Sequence, residues 1–318
     1  MNYKIIFNSY HKDAPATMNY YGAFCNNPNF SFYDVHHYDQ YDIALFMPYG
    51  KDIEELIRAK NINENIKIGL IDPRGELDPK VVDLIDFFII DSIEMSDFIK
   101  KYSKPYFIFY EYPIIKNIIK NHSNKDKISI AYHGNKMHLE NMSPRITDAL
   151  IKLSENYNIE FIAIYNIEEL GLWNFQFPEN FKINHVQWSE NIYNDILCDA
   201  DIGIVPALID NSKLDQNNNY IMKFKMPSNP GRLIIFSKLG IPVVADFLPS
   251  HFEFIKNDVN GYLAYSTSSW YYSLEKLILN PKKRNEFSFK MNKEIEQKVD
   301  YKIQNIKFKK FITNVLNG

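Results

Sequence analysis

Cysteine is nearly absent. The two present, Cys25 and Cys198, lie far apart and match no metal-ligand spacing, which excludes a disulfide framework and fits a reduced, cytoplasmic compartment. No apolar run approaches the roughly 18 residues needed to span a bilayer. The opening MNYKIIFNSY is too polar and too short for a secretory leader and reads instead as a first β-strand. Positive charge is not in excess either. Lys and Arg number 36 against 39 Asp and Glu, a net charge of −3, which argues against a general nucleic-acid binder. The chain is read as offering no H-x-H, D-x-D or cysteine cluster for a metal site, so neither a metal nor another cofactor is expected. What is abundant is aromatic: 22 Tyr and 23 Phe. Beside many Ile, Asn and Lys, that richness fits the codon bias of an AT-rich genome and is not read as a binding platform.

The most informative stretch is Tyr220 to Ala264, within which MKFKMPSNPGRLIIFSKLGIPVVADFLPSHFEFIKNDVNGYLA carries several agreeing signals. Asn229 suits a helix N-cap, Pro230 suits the first helical position, and Gly240 with Pro242 stops the helix. Leu233, Ile235, Phe236 and Leu239 give it a buried side. IPVVA then reads as a strand buried on both faces. A loop, a helix opening with Arg232 and a parallel strand together describe an anion site, because free N–H groups and the dipole at a helix start attract phosphate and an arginine adds a bidentate contact. An ordinary α/β loop with a surface arginine has the same pattern.

The rest of the chain alternates strands with helices, which predicts an α/β fold of two parallel, Rossmann-like sheets. Strands are predicted at Lys4 to Phe7, Ile43 to Phe46, Ile66 to Ile71, Phe87 to Ile90 and Tyr106 to Phe109. His11 to Asn29 is predicted as a long polar loop, and Ser92 as the cap of a helix through Lys101. The polar stretch Lys116 to Lys127 lacks an apolar face and is the predicted boundary. Beyond it, strands are expected at Ile128 to Tyr132, Glu160 to Ile164, Ile183 to Gln187 and Asp201 to Val205. HGNKMHLENM is expected as a loop, followed by a helix capped by Ser143. Asn191 to Asp199 is expected as a helix, Asn211 to Asn219 as a mobile loop, Ser268 as a helix start, and Lys282 to Leu316 as one or two helices.

The run N-P-G-R-L-I-I-F-S-K-L-G-I-P-V-V-A, followed by S-H-F-E and N-D-V-N-G-Y-L-A, resembles the C-terminal half of nucleotide-sugar glycosyltransferases of GT-B architecture (the group 1, family 4-like type). The likeness is clear over roughly Ile128 to Asn280. D-F-F-I-I-D-S before K-P-Y-F-I-F is similar to the end of a GT-B N-terminal domain. The resemblance implies an acceptor-side domain over 1–118, a linker over 119–127, a donor-binding domain over 128–295, and a final helix over 296–318 that returns to the first domain. The E-x7-E pattern of many retaining members is missing, since Ile235 stands where its second Glu belongs. Asn229 and Arg232 therefore inherit the donor contacts, together with Ser228 and the later Glu253.

Open parallel sheets bind ligands beyond the carboxyl ends of their strands. The candidates there are Gly134, Asn135 and Lys136 after the first strand of this half, Trp188 for stacking or packing, and Pro206 near the nucleotide. Lys223 and Lys225 are candidates to neutralise a diphosphate. The implied reaction displaces a nucleoside diphosphate at an anomeric carbon by a hydroxyl of a glycan or lipid-linked acceptor. Positive charge would stabilise the leaving group. His11 and Asp13, after the first strand, are the candidates for a general base, ahead of His36, His37, Asp72 and Arg74. A lipid-linked acceptor implies peripheral contact with the inner membrane, which Lys116 to Lys127 and Lys302 to Lys310 suit, though both also read as solvated faces. The surface-polysaccharide role follows from the resemblance alone. An epimerase of the same architecture, or a catalytically degenerate binding or scaffold protein, remains an alternative reading.

Overall fold

Short runs of β-branched and aromatic residues pair into two all-parallel sheets. The computed structural model describes residues 3–25, 27–73, 76–110, 113, 115–189, 193–208 and 229–318. In the first sheet the strands are β1 (Ile5–Asn8), β2 (Phe30–Phe32), β3 (Ile43–Phe46), β4 (Lys67–Ile71), β5 (Phe87–Ile90) and β6 (Tyr106–Ile108), in the order β2-β1-β3-β4-β5-β6. The second contains β7 (Ile128–His133), β8 (Ile159–Tyr165), β9 (Lys182–Gln187), β10 (Ile202–Val205), β11 (Val243–Asp246) and β12 (Tyr262–Ala264). Its order is β12-β11-β10-β7-β8-β9. Counted from β7, that is the doubly wound order 3-2-1-4-5-6, whose switch point falls between β7 and β10.

The chain divides into two compact units. One comprises Met1–Ile114, Asp215–Gly231 and Lys298–Gly318, and the other Ile115–Leu214 and Arg232–Gln297. In the first unit alternate strand residues serve opposite faces, as the pleat requires. Ile5, Phe7, Leu45 and Ile89 join Phe24, Phe308 and Ile312 in one cluster. Ile6, Phe46, Leu70 and Ile90 join Leu56 and Met95 in the other. The helix Tyr301–Asn317 thus completes a face of this unit, with Phe308 meeting Phe24, Phe30, Phe107 and Phe109. In the second unit Ile130, Tyr132, Ile202 and Ile204 bury one face against Ile146, Leu150, Trp270 and Leu274.

Several local expectations are corrected. His11 to Asn29 is not one loop, because Pro15–Phe24 is a helix with Pro at its first turn and Phe30–Phe32 is a strand. The NYYGAF sequence shows little segregation of polar from apolar residues, so periodicity could not reveal it. HGNKMHLENM likewise contains a helix, Lys136–Glu140, capped by Asn135. The next helix is Arg145–Ser154 with Pro144 at its cap, not Ser143. Ser266, rather than Ser268, caps Thr267–Leu279 through a reciprocal bond with Ser269. The helix predicted from Asn191 is described over Tyr193–Cys198, and the expected Asn211 to Asn219 loop lies outside the described residues.

Lys116 to Lys127, the stretch holding the predicted boundary, groups with the second unit. Its order comes from polar anchors and not from an apolar stripe. Ile118 N donates to Lys238 O at 2.6 Å, Lys120 Nζ to Cys198 O at 2.6 Å, and the buried Arg284 reaches Ser123 O at 2.7 Å. Gly240, with φ +68°, lies where a Cβ would meet Ile118 O at 2.7 Å, so this glycine both turns the chain and lets the strap approach.

Gly203 in β10 seats the helix Gly231–Lys238. An added Cβ there would stand 2.7 Å from the Phe236 ring, and Phe236 is fully buried. Gly203→Ala is expected to destabilise the protein by about 1–3 kcal/mol through overpacking, read as a fall of several degrees in the melting temperature. An unchanged transition would show that the helix moves freely over β10.

Candidate functional site

At the switch point of the second sheet, β7 ends in Tyr132 and His133 and β10 runs into Pro206. Arg232, in the first turn of the helix Gly231–Lys238, spans the two. Its Nη1 donates to Pro206 O at 2.7 Å, and its guanidinium lies 5.8 Å from the Tyr132 ring centre and hydrogen-bonds the Tyr132 hydroxyl. That hydroxyl donates to Asn135 O at 2.7 Å. Burial lowers the Arg232 pKa below its ordinary value, which leaves the group charged at neutral pH. Burial pushes the Tyr132 phenol up to about 12, with Arg232 pulling the other way. Gly134 has φ +137°, and a Cβ there would meet the Tyr132 hydroxyl at 2.8 Å and Arg232 Cδ at 3.1 Å. Only glycine allows the backbone to pass so close to the arginine.

The frame around Arg232 is polar and buried. Asp246, at the end of β11, is fully buried. Its carboxylate accepts from Ala207 N at 2.7 Å and Leu208 N at 2.8 Å, which fixes the backbone immediately after Pro206. The Arg145 guanidinium forks onto the same carboxylate, Nη2 meeting Oδ2 at 3.0 Å and Nη1 meeting Oδ1. His251 Nδ1 hydrogen-bonds the Asp246 carbonyl at 2.7 Å. His133 bonds the Arg232 backbone and meets the Phe236 ring at 5.0 Å. Burial and the nearby Arg232 hold His133 down to about 3, and burial chiefly holds His251 down to about 4. Both imidazoles are therefore neutral at pH 7.

Of the other predicted donor residues, Asn229 accepts from Gly231 N at 2.8 Å through its side chain, capping the chain before Arg232. Asn135 caps its own helix, accepting from Met137 N at 2.9 Å. Lys136 is not directed at the switch point. Its Nζ donates to Leu170 O at 2.9 Å and lies 3.4 Å from Glu140, because the helix that begins at this residue carries it sideways. Trp188 is half-buried just past β9, two strands from β7, with its N–H on Tyr165 O at 2.9 Å. Glu253 follows the short helix Pro249–Phe252 and is half-buried. Lys223, Lys225 and Ser228 lie outside the described residues. The expectation that no D-x-D is present is corrected by Asp199 and Asp201, but Asp201 sits before β10, at the opposite end from Pro206, and pairs with Lys125 at 2.7 Å. Among the described residues, no group of three or more His, Cys, Asp or Glu side chains is placed to hold a cation, and no helix is long and apolar enough to cross a membrane.

The first sheet has its own switch point, between β1 and β3. There Asp52, fully buried in the first turn of the helix Gly50–Ile62, accepts from Ser9 Oγ at 2.7 Å and from Tyr10 N at 2.6 Å. Burial raises its pKa, against the pull of these bonds and of His11. Ser9 Oγ in turn accepts from His11 N at 3.0 Å, and the His11 ring meets Tyr49 edge-on at 4.8 Å. His11 and Asp13 are both exposed. Burial chiefly raises the pKa of the Tyr33 phenol, with Tyr21, Asp13 and Asp52 adding to it. Of the secondary candidates, His37 pairs with Asp34 at 3.0 Å, Asp72 is buried, and Arg74 lies outside the described residues.

No protein-family model and no curated protein matches the chain. Solved structures do. Anabaena Alr3699/HepE, in complex with UDP, superposes with a TM-score of 0.67 over 98% of this chain and 100% of that one, at 12% identity. The chain has the GT-B fold. HepE has also been solved with UDP-glucose. The pneumococcal O-GlcNAc transferase GtfA, with UDP and GlcNAc, matches at TM-score 0.58 and 10% identity over 87% of this chain and 57% of its own. A variant of S. aureus TarM matches at TM-score 0.55 and 13% identity, over 87% of this chain and 55% of its own. The chain thus spans little more than half the length of GtfA and TarM.

Sequence reasoning overlooked Asp246, Arg145, His251 and Asp52. Their only signal was position, since Asp246 and His251 follow the end of the strand IPVVA and Asp52 opens a helix after β3. The buried imidazoles make stability pH-dependent. His133 and His251 have folded-state pKa values of about 3 and 4, below the ordinary 6.5, so the unfolded chain binds the extra protons. Their contribution is complete above pH 6.5 and is lost as the pH falls towards 4, each by up to about 1.4 kcal/mol per pH unit. Urea unfolding at pH 7 and pH 5 is expected to show the loss, and His251→Asn to shrink it. A midpoint that does not move with pH would contradict neutral burial of these rings.

Proposed function

We propose that the protein is a glycosyltransferase that moves a sugar from a nucleoside-diphosphate donor to a hydroxyl of a glycan or glycolipid, in the cytoplasm and without a metal or other cofactor. The observation that carries this reading is the charged Arg232 at the β7–β10 switch point, held over a glycine and opposite a carbonyl. On diphosphate binding Arg232 would exchange the Pro206 carbonyl for phosphate oxygens. Positive charge at that place stabilises the departing diphosphate as the glycosidic bond breaks. Gly134 leaves room for the phosphates to approach the backbone, and the neutral His133 and His251 add no competing charge. HepE, GtfA and a TarM variant were each solved with UDP, so uridine diphosphates are the first donors to test. On the acceptor side, His11 is the proposed base, with its loop held by Asp52. Bacterial surface-polysaccharide assembly is the proposed setting.

A sugar- or nucleotide-binding protein without transfer is the second reading, favoured by Ile235 in place of the second Glu of the E-x7-E pattern.

Melting curves with UDP, UDP-glucose, UDP-GlcNAc, GDP, ADP and CMP test the donor site. A ligand at 100 times its Kd adds about 2.7 kcal/mol. One nucleotide family is expected to raise the melting temperature, and Arg232→Ala to weaken it by about 1.5–3 kcal/mol, roughly 10- to 150-fold. No shift with any nucleotide would overturn the donor site. A shift without sugar transfer to glycan or lipid extracts would favour the binding protein.

A further inference from the structure

Large aromatic side chains are usually drawn inward, yet Phe247, Phe252 and Tyr265 keep 49, 46 and 67% of their surface exposed. They come from three places on one edge of the second unit. Phe247 follows β11, Phe252 ends the helix Pro249–Phe252, and Tyr265 follows β12. The rings contact one another. Phe247 meets Phe252 at 4.2 Å between centres and 78° between planes, and Tyr265 at 6.1 Å and 67°.

Their supports are rigid. Phe247 N donates to Ala264 O at 3.1 Å, tying the ends of β11 and β12 together. Tyr265 N donates to Ser269 Oγ at 2.9 Å within the capping box of the next helix. Leu248, Ser250, His251 and Phe254 take the buried positions of the intervening segment, and His251 is fastened to the Asp246 carbonyl. Phe252 is left facing solvent. Contiguous exposed apolar surface on a well-anchored frame marks a binding site.

We propose that Phe247, Phe252 and Tyr265 form a platform on which the pyranose rings of an acceptor glycan chain stack. This rests on the transferase reading and adds the place where that substrate is gripped. An aromatic face presents apolar area and a negative π-cloud to the C–H bonds of a sugar ring, while the sugar hydroxyls stay in water. The platform lies at the ligand-binding edge, one to two strand spacings from β10, or roughly 5–10 Å, and so continues outward from the donor site. Its openness suits an extended chain better than the single enclosed hexose of a donor. A membrane is the other apolar partner to consider, but charge does not select one. The chain is net negative, which does not favour an anionic bilayer.

Stacking reads ring C–H bonds more than individual hydroxyls, so a short panel of probes suffices: hexamers of glucose joined β-1,4, β-1,3 and α-1,4. Saturation-transfer NMR with the whole protein is expected to detect at least one hexamer. In the variant Phe247→Ser, Phe252→Ser, Tyr265→Ser binding should fall tenfold or more, while the melting shift with UDP is unchanged. Tyr265→Ser alone serves if the triple variant loses its melting transition. Failure of every hexamer, binding that survives the substitutions, or flotation with phosphatidylglycerol vesicles that depends on the three rings would each overturn the proposal. Ring-dependent hexamer binding without any UDP shift would keep the platform and discard the donor site.

Discussion

The buried carboxylate of Asp246 takes the Arg145 fork from one side and the amide hydrogens of Ala207 and Leu208 from the other. An unpaired charge in such a place would be expensive, and removing one partner of a buried pair commonly costs about 3–5 kcal/mol. The gain lies in definition more than in stability. With Ala207 and Leu208 fixed, the Pro206 carbonyl is held where Arg232 Nη1 meets it. The same residue holds His251 through its backbone, so the loops after β10 and β11 share a single anchor.

The first sheet uses a comparable device. Asp52 accepts from Ser9 and Tyr10 and thereby fixes the loop after β1 that carries His11. In both sheets a buried carboxylate from a neighbouring element satisfies the backbone beyond a switch-point strand. Each loop is thus pre-organised by hydrogen bonds that an apolar contact could not direct. Phe236 adds the apolar counterpart in the second sheet. Its ring sits against Gly203 and His133, which sets where the helix Gly231–Lys238 starts and so where its arginine points.

Much of this was legible in the sequence because the strands are short apolar runs in which nearly every residue is buried, as in IPVVA and DIGIV. Arg232, Asn229, Gly134 and Pro206 could be picked out because helix caps, glycines and strand ends have local signatures. Asp246 could not, since its importance comes from Arg145, 101 positions away, and pairing at that distance leaves no local trace. Pro15–Phe24 was missed because tyrosines and asparagines are mixed around the helix. The aromatic excess was legible but not its use. Composition counts the rings, and only the packing shows which are buried, as Phe7, Phe24 and Phe308 are, and which are exposed, as Phe247, Phe252 and Tyr265 are.

The residues that close the first unit are far from its strands in the chain. Phe308 and Ile312 belong to the same cluster as Ile5, Phe7 and Phe24, and Gln304 bonds the Tyr110 backbone from 194 positions away. The second unit draws on nothing beyond Gln297. During synthesis, which proceeds from the N-terminus, the strands made first must therefore wait with one face uncovered while the second sheet has all its parts. The N-terminal half emerges first and has this face closed only after Phe308 and Ile312 have been made.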